Sequence, residues 1–526
     1  MNHPVVKQES ELHRRIRDPR LYSKIMDAED TLSFFSDGMY LGFSGFAEGH
    51  PKTVPGLLAD YVESNGLIGK MRFNVFTGAS VGTDVDNRWS RLRMFDRRWP
   101  HQQGDTIRLA INEGAVSFGD RHLSMFAQDF GYGFYTLEND GKVDIGVIEA
   151  SCITEDGGIV PTLAVGIVAE VIARSDMLII EINTKIPSFE GLHDCLSFEA
   201  PPHKKTYPIQ HVTDRIGSTS IPCDRNKIVA IVESWKDPVG RPLGPPDEKS
   251  DRIAAHVIDF LQHEVNGGRL PRNLLPLQSG VGTIANAVFG GLLRSPFANL
   301  SVWTEVFQDN LMDLFDAGKL DSVSAASFSL SQGGLTRLFE NWERYTKNTI
   351  LRPIQITNHP EPVRRLGLIS MNTPIEFDLY AHVNSSLVNG SRMLNGIGGS
   401  GEFMRNAYLS IMHTPSTRPS KVDPNGISCV VPMVPHVDHT EHDMDVLVTE
   451  QGLADLRGLA PKERAQKIID KCVHPEYKPI LQEYFSRASR ECLAKGSGHE
   501  PHMLYKVFNM QRNLEENGTM KIANWD

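Results

Sequence analysis

The feature that most constrains how this chain folds is a series of short, nearly unbroken apolar runs. Residues 39–43, 71–76, 143–148, 177–182, 228–231, 300–303, 366–370, 427–431 and 445–448 are dominated by Val, Ile, Leu, Met and Phe. Runs of this length without polar alternation suit strands buried on both faces of a parallel sheet. Stretches of helical character lie between them, including 55–63, 252–264 and 461–471. Strand and helix in alternation predict an α/β fold. At 526 residues the chain exceeds one ordinary domain, and the reading is two large ones. The segment 236–249, rich in proline, glycine and charge, reads as a linker or surface loop. The expected domains are 1–220 and 221–526.

An internal repeat supports two similar halves. Ser44-Gly45-Phe46 and Ser279-Gly280-Val281 each follow an apolar run, and each is followed at the same spacing by Gly-Leu-Leu, at Gly56 and Gly291. The next runs are also alike: Arg72-Phe-Asn-Val-Phe-Thr-Gly78 and Asn299-Leu-Ser-Val-Trp-Thr-Glu305. A duplicated strand, glycine turn, helix and strand explains this simply. The alignment exposes one contrast: Gly78 ends the run in the first half, Glu305 in the second.

Ligands of open α/β sheets bind beyond the carboxyl ends of strands. Glu305 stands at such an end, as a site carboxylate or as a solvated loop residue. Gly280-Val281-Gly282 joins a predicted strand to a predicted helix. Its N–H groups suit an anion or a developing oxyanion, though a tight turn alone also needs small residues. Asn395-Gly396-Ile397-Gly398-Gly399-Ser400-Gly401 is the densest glycine cluster. It reads as a close backbone approach to a ligand, or as a mobile loop. The segment His436-Val-Asp-His439-Thr-Glu441-His442-Asp443 offers three readings: a metal site, a polar loop, or a charged pocket for a carboxylate. Histidines three apart do not converge readily from a strand or a regular helix, and no His-Glu-x-x-His is present, so no metal is expected.

Composition narrows the remaining classes. A formal net charge of -11 argues against a broad nucleic-acid surface. No run of about 18 apolar residues is present, so no membrane span is expected. The six cysteines form no Cys-x-x-Cys pair and read as scattered thiols of a reducing compartment. Arg14, Arg15, Arg17 and Arg20 suit organelle import, or a basic surface helix given the nearby Glu9, Glu11 and Asp18. Neither a Gly-x-x-x-x-Gly-Lys-Ser/Thr loop nor a Gly-x-Ser-x-Gly elbow is present, which disfavours nucleotide hydrolysis and serine-esterase chemistry.

Four longer segments, taken together, resemble the acetyl-CoA hydrolase/transferase family of class I CoA-transferases. They are Gly280-Val-Gly-Thr-Ile-Ala-Asn-Ala-Val288, Val302-Trp-Thr-Glu-Val-Phe-Gln-Asp309, Asn389-Gly-Ser-Arg-Met-Leu-Asn-Gly-Ile-Gly-Gly-Ser-Gly401 and Val448-Thr-Glu-Gln-Gly-Leu-Ala-Asp-Leu-Arg-Gly458. The resemblance runs from about residue 32 to 524 and is nearest the fungal members. It implies two similar open α/β domains of CoA-transferase type. It also implies exchange of coenzyme A between succinyl-CoA and acetate or propionate through a glutamyl-CoA thioester. The alternative is acetyl-CoA hydrolysis at the same site; a ligand-binding regulator on the same scaffold is a third reading. By the same resemblance Glu305 is the nucleophile, and the N–H groups of Val281 and Gly399 are the oxyanion donors. Asn358 and Glu441 face substrate. Gly280, Gly282, Gly396, Gly398 and Lys421 contact coenzyme A, although the loop carrying Lys421 is longer than in bacterial members. Coenzyme A enters as a substrate, with no tightly bound cofactor. The partners implied are acyl-CoA, small carboxylates and a second copy of the chain, in the mitochondrion or alternatively the cytoplasm.

Overall fold

The computed structural model describes residues 10–202, 204–241 and 244–526. Two parallel sheets dominate it. The first comprises β1 (Tyr40–Phe43), β2 (Phe73–Phe76), β3 (Phe95–Trp99), β4 (Ser117–Phe118), β5 (Val143–Ile153), β6 (Ser175–Asn183) and β7 (Ile228–Ser234), in the order β4-β3-β2-β1-β5-β6-β7. Every adjacent pair along this order is parallel; an eighth strand, Ile159–Pro161, joins the sheet off this path, antiparallel to β5. The second comprises β8 (Leu277–Ser279), β9 (Leu300–Trp303), β10 (Leu320–Ala325), β11 (Thr349–Leu351), β12 (Ile369–Asn372), β13 (Leu409–His413), β14 (Val446–Thr449) and β15 (Gly452–Asp455). Its order is β11-β10-β9-β8-β12-β13-β14-β15, with β15 antiparallel. Counted in chain order within each sheet, the parallel strands run 4-3-2-1-5-6-7 in both. The repeat in the sequence is therefore a duplicated α/β topology, and each sheet reverses direction between its first and fifth strands.

Two compact units result. The first takes the chain through Arg241, with Glu305–Asp309 and Val323–Pro362; the second takes the chain from there to Thr304, with Asn310–Ser322 and Val363–Asp526. The division passes through β10. Residue 221, where the sequence reading set its boundary, lies in the first unit just ahead of β7, which pairs with β6.

The first core packs Phe43, Phe73, Trp89 and Phe95 under α1 (Thr53–Ser64). α1 has no cap of its own. Glu181 on β6 supplies one, accepting from the N–H groups of Lys52 at 2.9 Å, Thr53 at 3.0 Å and Val54 at 2.7 Å. The second unit places α2 (Glu248–Asn266) and α3 (Thr283–Arg294) against one another, with Asp247 capping α2 through the Ser250 N–H. Beyond β15, α4 (Pro461–Cys472) and α5 (Lys478–Ala494) bury Ile468, Tyr484 and Phe485 in a separate core.

Three strands depart from the expected pattern. β3 reads Phe-Asp-Arg-Arg-Trp, and its charge hid it. Arg98 is nonetheless fully buried, its guanidinium donating to both Asp86 oxygens at 2.8 and 3.2 Å. The run 366–370 starts later, at Ile369, because Gly367 adopts φ 70° after the preceding helix. The run 427–431 is two short strands, Ile427–Ser428 and Val430–Val431, in different small sheets. Arg14 and Arg15 pair with Glu11, Arg17 with Glu190, and Arg20 with Asp18. All six cysteines are free thiols, and among the described residues no helix is long and apolar enough to cross a membrane.

Candidate active site

Glu305 follows β9 and opens the short strand Val306–Phe307, which pairs in parallel with Ser327–Phe328. Its carbonyl accepts from the Ala326 and Ser327 N–H groups at 2.9 and 3.2 Å, which fixes the backbone. Its carboxylate is largely enclosed. Oε2 accepts from Asn358 Nδ2 at 2.9 Å; among the described residues Oε1 has no protein partner. Burial pushes its pKa up to about 7, against the lowering effect of the Asn358 hydrogen bond. Asn358 is itself completely buried, at the end of the turn Ile354–Thr357, and its Oδ1 accepts from Thr357 Oγ1 at 2.8 Å. A donor buried and oriented in this way leaves the glutamate one fixed oxygen and one free one. The contrast with Gly78 also has a physical basis: a Cβ there would stand 2.8 Å from the Gly45 carbonyl oxygen.

Within the first unit the chain around Glu305 lies against the carboxyl end of the first sheet. Ala164 bridges to Ser327, and Gly166 to Pro353. Gly49 packs so closely on Ala164 that a Cβ would stand 2.5 Å from its nitrogen. This brings in a buried polar pair, Lys52 with Glu149, that the sequence did not single out. Lys52 Nζ donates to Glu149 at 2.9 Å and to the carbonyls of Glu48 and His50; Glu149 also accepts from Thr162 at 2.7 Å and Asn183 at 3.1 Å. Glu48 is 5% exposed, and Arg241 is tied to Gln103 and to the Leu330 carbonyl. A cavity of about 960 Å³ in the same unit is lined by Lys204, Tyr207, Arg215 and Gln355, and neither Glu305 nor Asn358 lines it.

In the second unit the two glycine segments meet at the switch point of β8 and β12. Gly280 donates its N–H to Met371, and a Cβ on it would stand 3.2 Å from Asn372 Oδ1. Asn372 Nδ2 reaches Gln278 at 2.8 Å, Ser370 at 3.0 Å and the Met404 sulfur at 3.3 Å. Met404 belongs to the helix Ser400–Asn406, which follows Gly396, Gly398 and Gly399, all buried. Gln278, Ser370 and Asn372 thus tie the two turns together. Their signal in the sequence was only three polar residues in or beside apolar runs. Gly282, exposed at φ 121°, leads into α3. Among the described residues no protein acceptor lies within hydrogen-bond reach of the Val281 or Gly399 N–H. Thr304, the residue before Glu305, donates through Oγ1 to the Ser279 carbonyl at 3.1 Å.

The remaining candidates, Lys421 and Glu441, belong to the same unit, and the turn carrying Glu441 packs on the helix Ser400–Asn406. Lys421 is exposed, beside the Ser420 hydroxyl that caps the Val422 and Asp423 N–H groups. Glu441 pairs with His382 at 2.8 Å and with His442 at 3.1 Å. Burial disfavours the His382 charge, but the Asp378 and Glu441 carboxylates outweigh it and hold its pKa up to about 9. The three histidines diverge: His436 meets Asp438, His439 meets Ser400 and His442 meets Glu441. Among the described residues no group of three or more His, Cys, Asp or Glu side chains is arranged to hold a metal.

Comparison with known proteins bears on the family and the fold. The N-terminal domain of acetyl-CoA hydrolase/transferase matches residues 10–233, and the corresponding C-terminal domain matches 334–485. An acetyl-CoA hydrolase of Neurospora crassa is 54% identical over 97% of each chain. One from Schizosaccharomyces pombe is 54% identical over 98% of this chain and 99% of its own. One from Saccharomyces cerevisiae is 53% identical over 98% of each. Among solved structures, RipA of Yersinia pestis superposes with a TM-score of 0.66 at 20% identity, over 90% of this chain and 98% of its own. A 4-hydroxybutyrate CoA-transferase of Porphyromonas gingivalis superposes with a TM-score of 0.60 at 19% identity, over 89% and 99%. At such identity the two structures speak to the fold alone.

Proposed function

The chain belongs to the acetyl-CoA hydrolase/transferase family, and we propose that it exchanges coenzyme A between succinyl-CoA and a short carboxylate, acetate or propionate, with Glu305 as the covalent nucleophile. The observation that carries this reading is the Glu305 carboxylate, enclosed, held at one oxygen by Asn358 and free at the other. In the mechanism, Glu305 attacks the thioester carbonyl and the C–S bond breaks, giving an acyl–glutamyl anhydride and coenzyme A thiolate. The thiolate attacks the glutamyl carbonyl, forming a glutamyl thioester and releasing the first acid. A second acid reverses both steps, which gives ping-pong kinetics. Asn358 keeps the nucleophile in one orientation. The N–H groups of Val281 and Gly399 are the proposed donors to the tetrahedral oxyanions, a role whose loss typically costs on the order of 10² to 10³ in rate.

The names of the fungal relatives favour a second reading, acetyl-CoA hydrolysis at the same nucleophile, with water attacking the acylated glutamate. An assay with succinyl-CoA, with and without acetate or propionate, separates the two when acyl-CoA species and free thiol are followed independently. Exchange predicts that added acid yields its own thioester without thiol release. Thiol release at one rate, whatever acid is present, would establish the hydrolase.

A further inference from the structure

The cavity of the first unit is walled by the segment 195–218 and by Gln355, which belongs to the turn Ile354–Thr357. Gln355 is 3% exposed, and among the described residues its side-chain amide has no hydrogen-bond partner. Buried polar groups are almost always paired, so an amide left open at a cavity wall demands an explanation. Asn358 stands three positions further along the same turn and holds Glu305 at 2.9 Å. The next residue, His359, meets the ring of Tyr207 edge-on, with centroids 5.0 Å apart, and Tyr207 is another wall of the cavity. The walls of the cavity therefore engage the chain on both sides of Asn358.

The charges around the cavity define what it would hold. Lys204 Nζ reaches only neutral groups, Gln128 Oε1 at 3.3 Å and the Tyr132 hydroxyl at 3.4 Å. Arg215 donates to the carbonyls of His193 at 2.7 Å and Gly191 at 2.9 Å. Among the described residues neither cation has a carboxylate within 4.0 Å. The carboxylates of the wall are engaged: Glu199 pairs with Lys205 at 3.1 Å, and Asp214 accepts from the N–H groups of Gln210 and His211 at 2.7 and 2.8 Å. Glu170, wholly buried in the helix Val168–Arg174, has no partner at either oxygen and attracts Lys204. Burial pushes its pKa up to about 8, so at neutral pH it sets little negative charge against an anion. Two cations without counter-ions, an aromatic ring and an amide with donor and acceptor side by side suit a molecule that is anionic at one end and a planar heterocycle at the other. The volume of about 960 Å³ is far more than a short carboxylic acid needs and accommodates a nucleotide.

We propose that this cavity is an effector site for an organic anion of nucleotide size, its phosphate toward Lys204 and Arg215 and its ring toward Tyr207 and Gln355, and that its occupancy alters the hold of Asn358 on Glu305. The binding claim is independent of the exchange chemistry; the effect on rate rests on the reading of Glu305 as nucleophile. The physical link is short. A ligand bonded to the Gln355 amide and seated on the ring that packs against His359 fixes the turn from both sides, and Asn358 is the residue between them. Differential contact of this kind couples two sites typically by about 5- to 150-fold.

The test uses adenosine monophosphate, with adenosine and inorganic phosphate as half-probes, on wild type, Lys204→Ala and Gln355→Met. Calorimetry is expected to show saturable binding of the monophosphate to wild type, tighter than either half-probe and weakened by at least about tenfold in each variant. Lys204 lies on the surface segment, so its variant reads binding even if Gln355→Met fails to fold. At saturating acyl-CoA the monophosphate is expected to change kcat by at least about fivefold in wild type and not in Lys204→Ala, whose turnover without it is unchanged. No saturable heat in wild type, as when a second copy of the chain fills the cleft, overturns the proposal. Inhibition competitive with acyl-CoA also overturns it, because the cavity would then belong to the substrate site. Binding that depends on Lys204 while kcat stays fixed sinks the transmission through Asn358, and with it the effector site. A response to the monophosphate in a Glu305→Gln chain that keeps full activity would sink the nucleophile reading and leave the effector site standing.

Discussion

A carboxylate is a weak nucleophile and a good leaving group, which suits a reaction that must run in both directions, but it must be ionised to attack. Glu305 faces two opposed effects: enclosure favours its neutral form and Asn358 its charged form, with a pKa near 7 as the outcome. Its reactive fraction therefore grows as pH rises through 7. The kcat/KM for acyl-CoA is expected to climb across that range and level off above it. Asn358→Ala removes the effect that lowers the pKa, so the climb should move to higher pH. The plateau should fall by about 10- to 100-fold, the worth of a hydrogen bond to a charged group. An unshifted profile in that variant would mean that another group titrates. Glu305 was visible in the sequence because it breaks a repeat at a strand end. Asn358 lies 53 positions away, and only resemblance pointed to it. Gln355 gave no signal, because what distinguishes it is a missing partner in three dimensions.

The elements were legible wherever burial on both faces left an unbroken apolar run, as in β5 and β6. They were hidden wherever a buried charge is paired within a strand. Arg98 in β3 looks like a surface residue until Asp86 is placed beside it. α1 poses a related problem, since nothing in its own sequence caps it. Glu181, on a strand more than a hundred residues later, accepts from the N–H groups of Lys52, Thr53 and Val54 at its start and locks the helix to the sheet. Glu181→Ala leaves those donors buried and unpaired, at about 1–3 kcal/mol for each. The expected result is a loss of at least about 3 kcal/mol in denaturant unfolding of the first unit. A loss below 1 kcal/mol would show that the helix is capped in some other way.

At the scale of the whole molecule the duplication explains most of the architecture. Two sheets of identical strand order arise from two related half-sequences, and the glycine turn that follows the first strand of each half is their common mark. The chain does not divide at one point, because Glu305–Asp309 and Val323–Pro362 leave the second half of the sequence to join the first compact unit. No local pattern marks such an excursion: what assigns the segments is pairing with residues such as Ala164 and Gly166. The excursion is what places Glu305 and Asn358 in one unit with Lys204 and Tyr207. Exchange of this kind requires that Glu305 becomes covalently loaded during turnover. The direct measurement is peptide mass analysis of the chain quenched after incubation with acetyl-CoA, in wild type and Glu305→Gln. A coenzyme A adduct is expected on the peptide carrying Glu305 in wild type, lost when acetate is added in excess and absent from the variant. An adduct on another residue, or turnover with no adduct and full activity in Glu305→Gln, would contradict it.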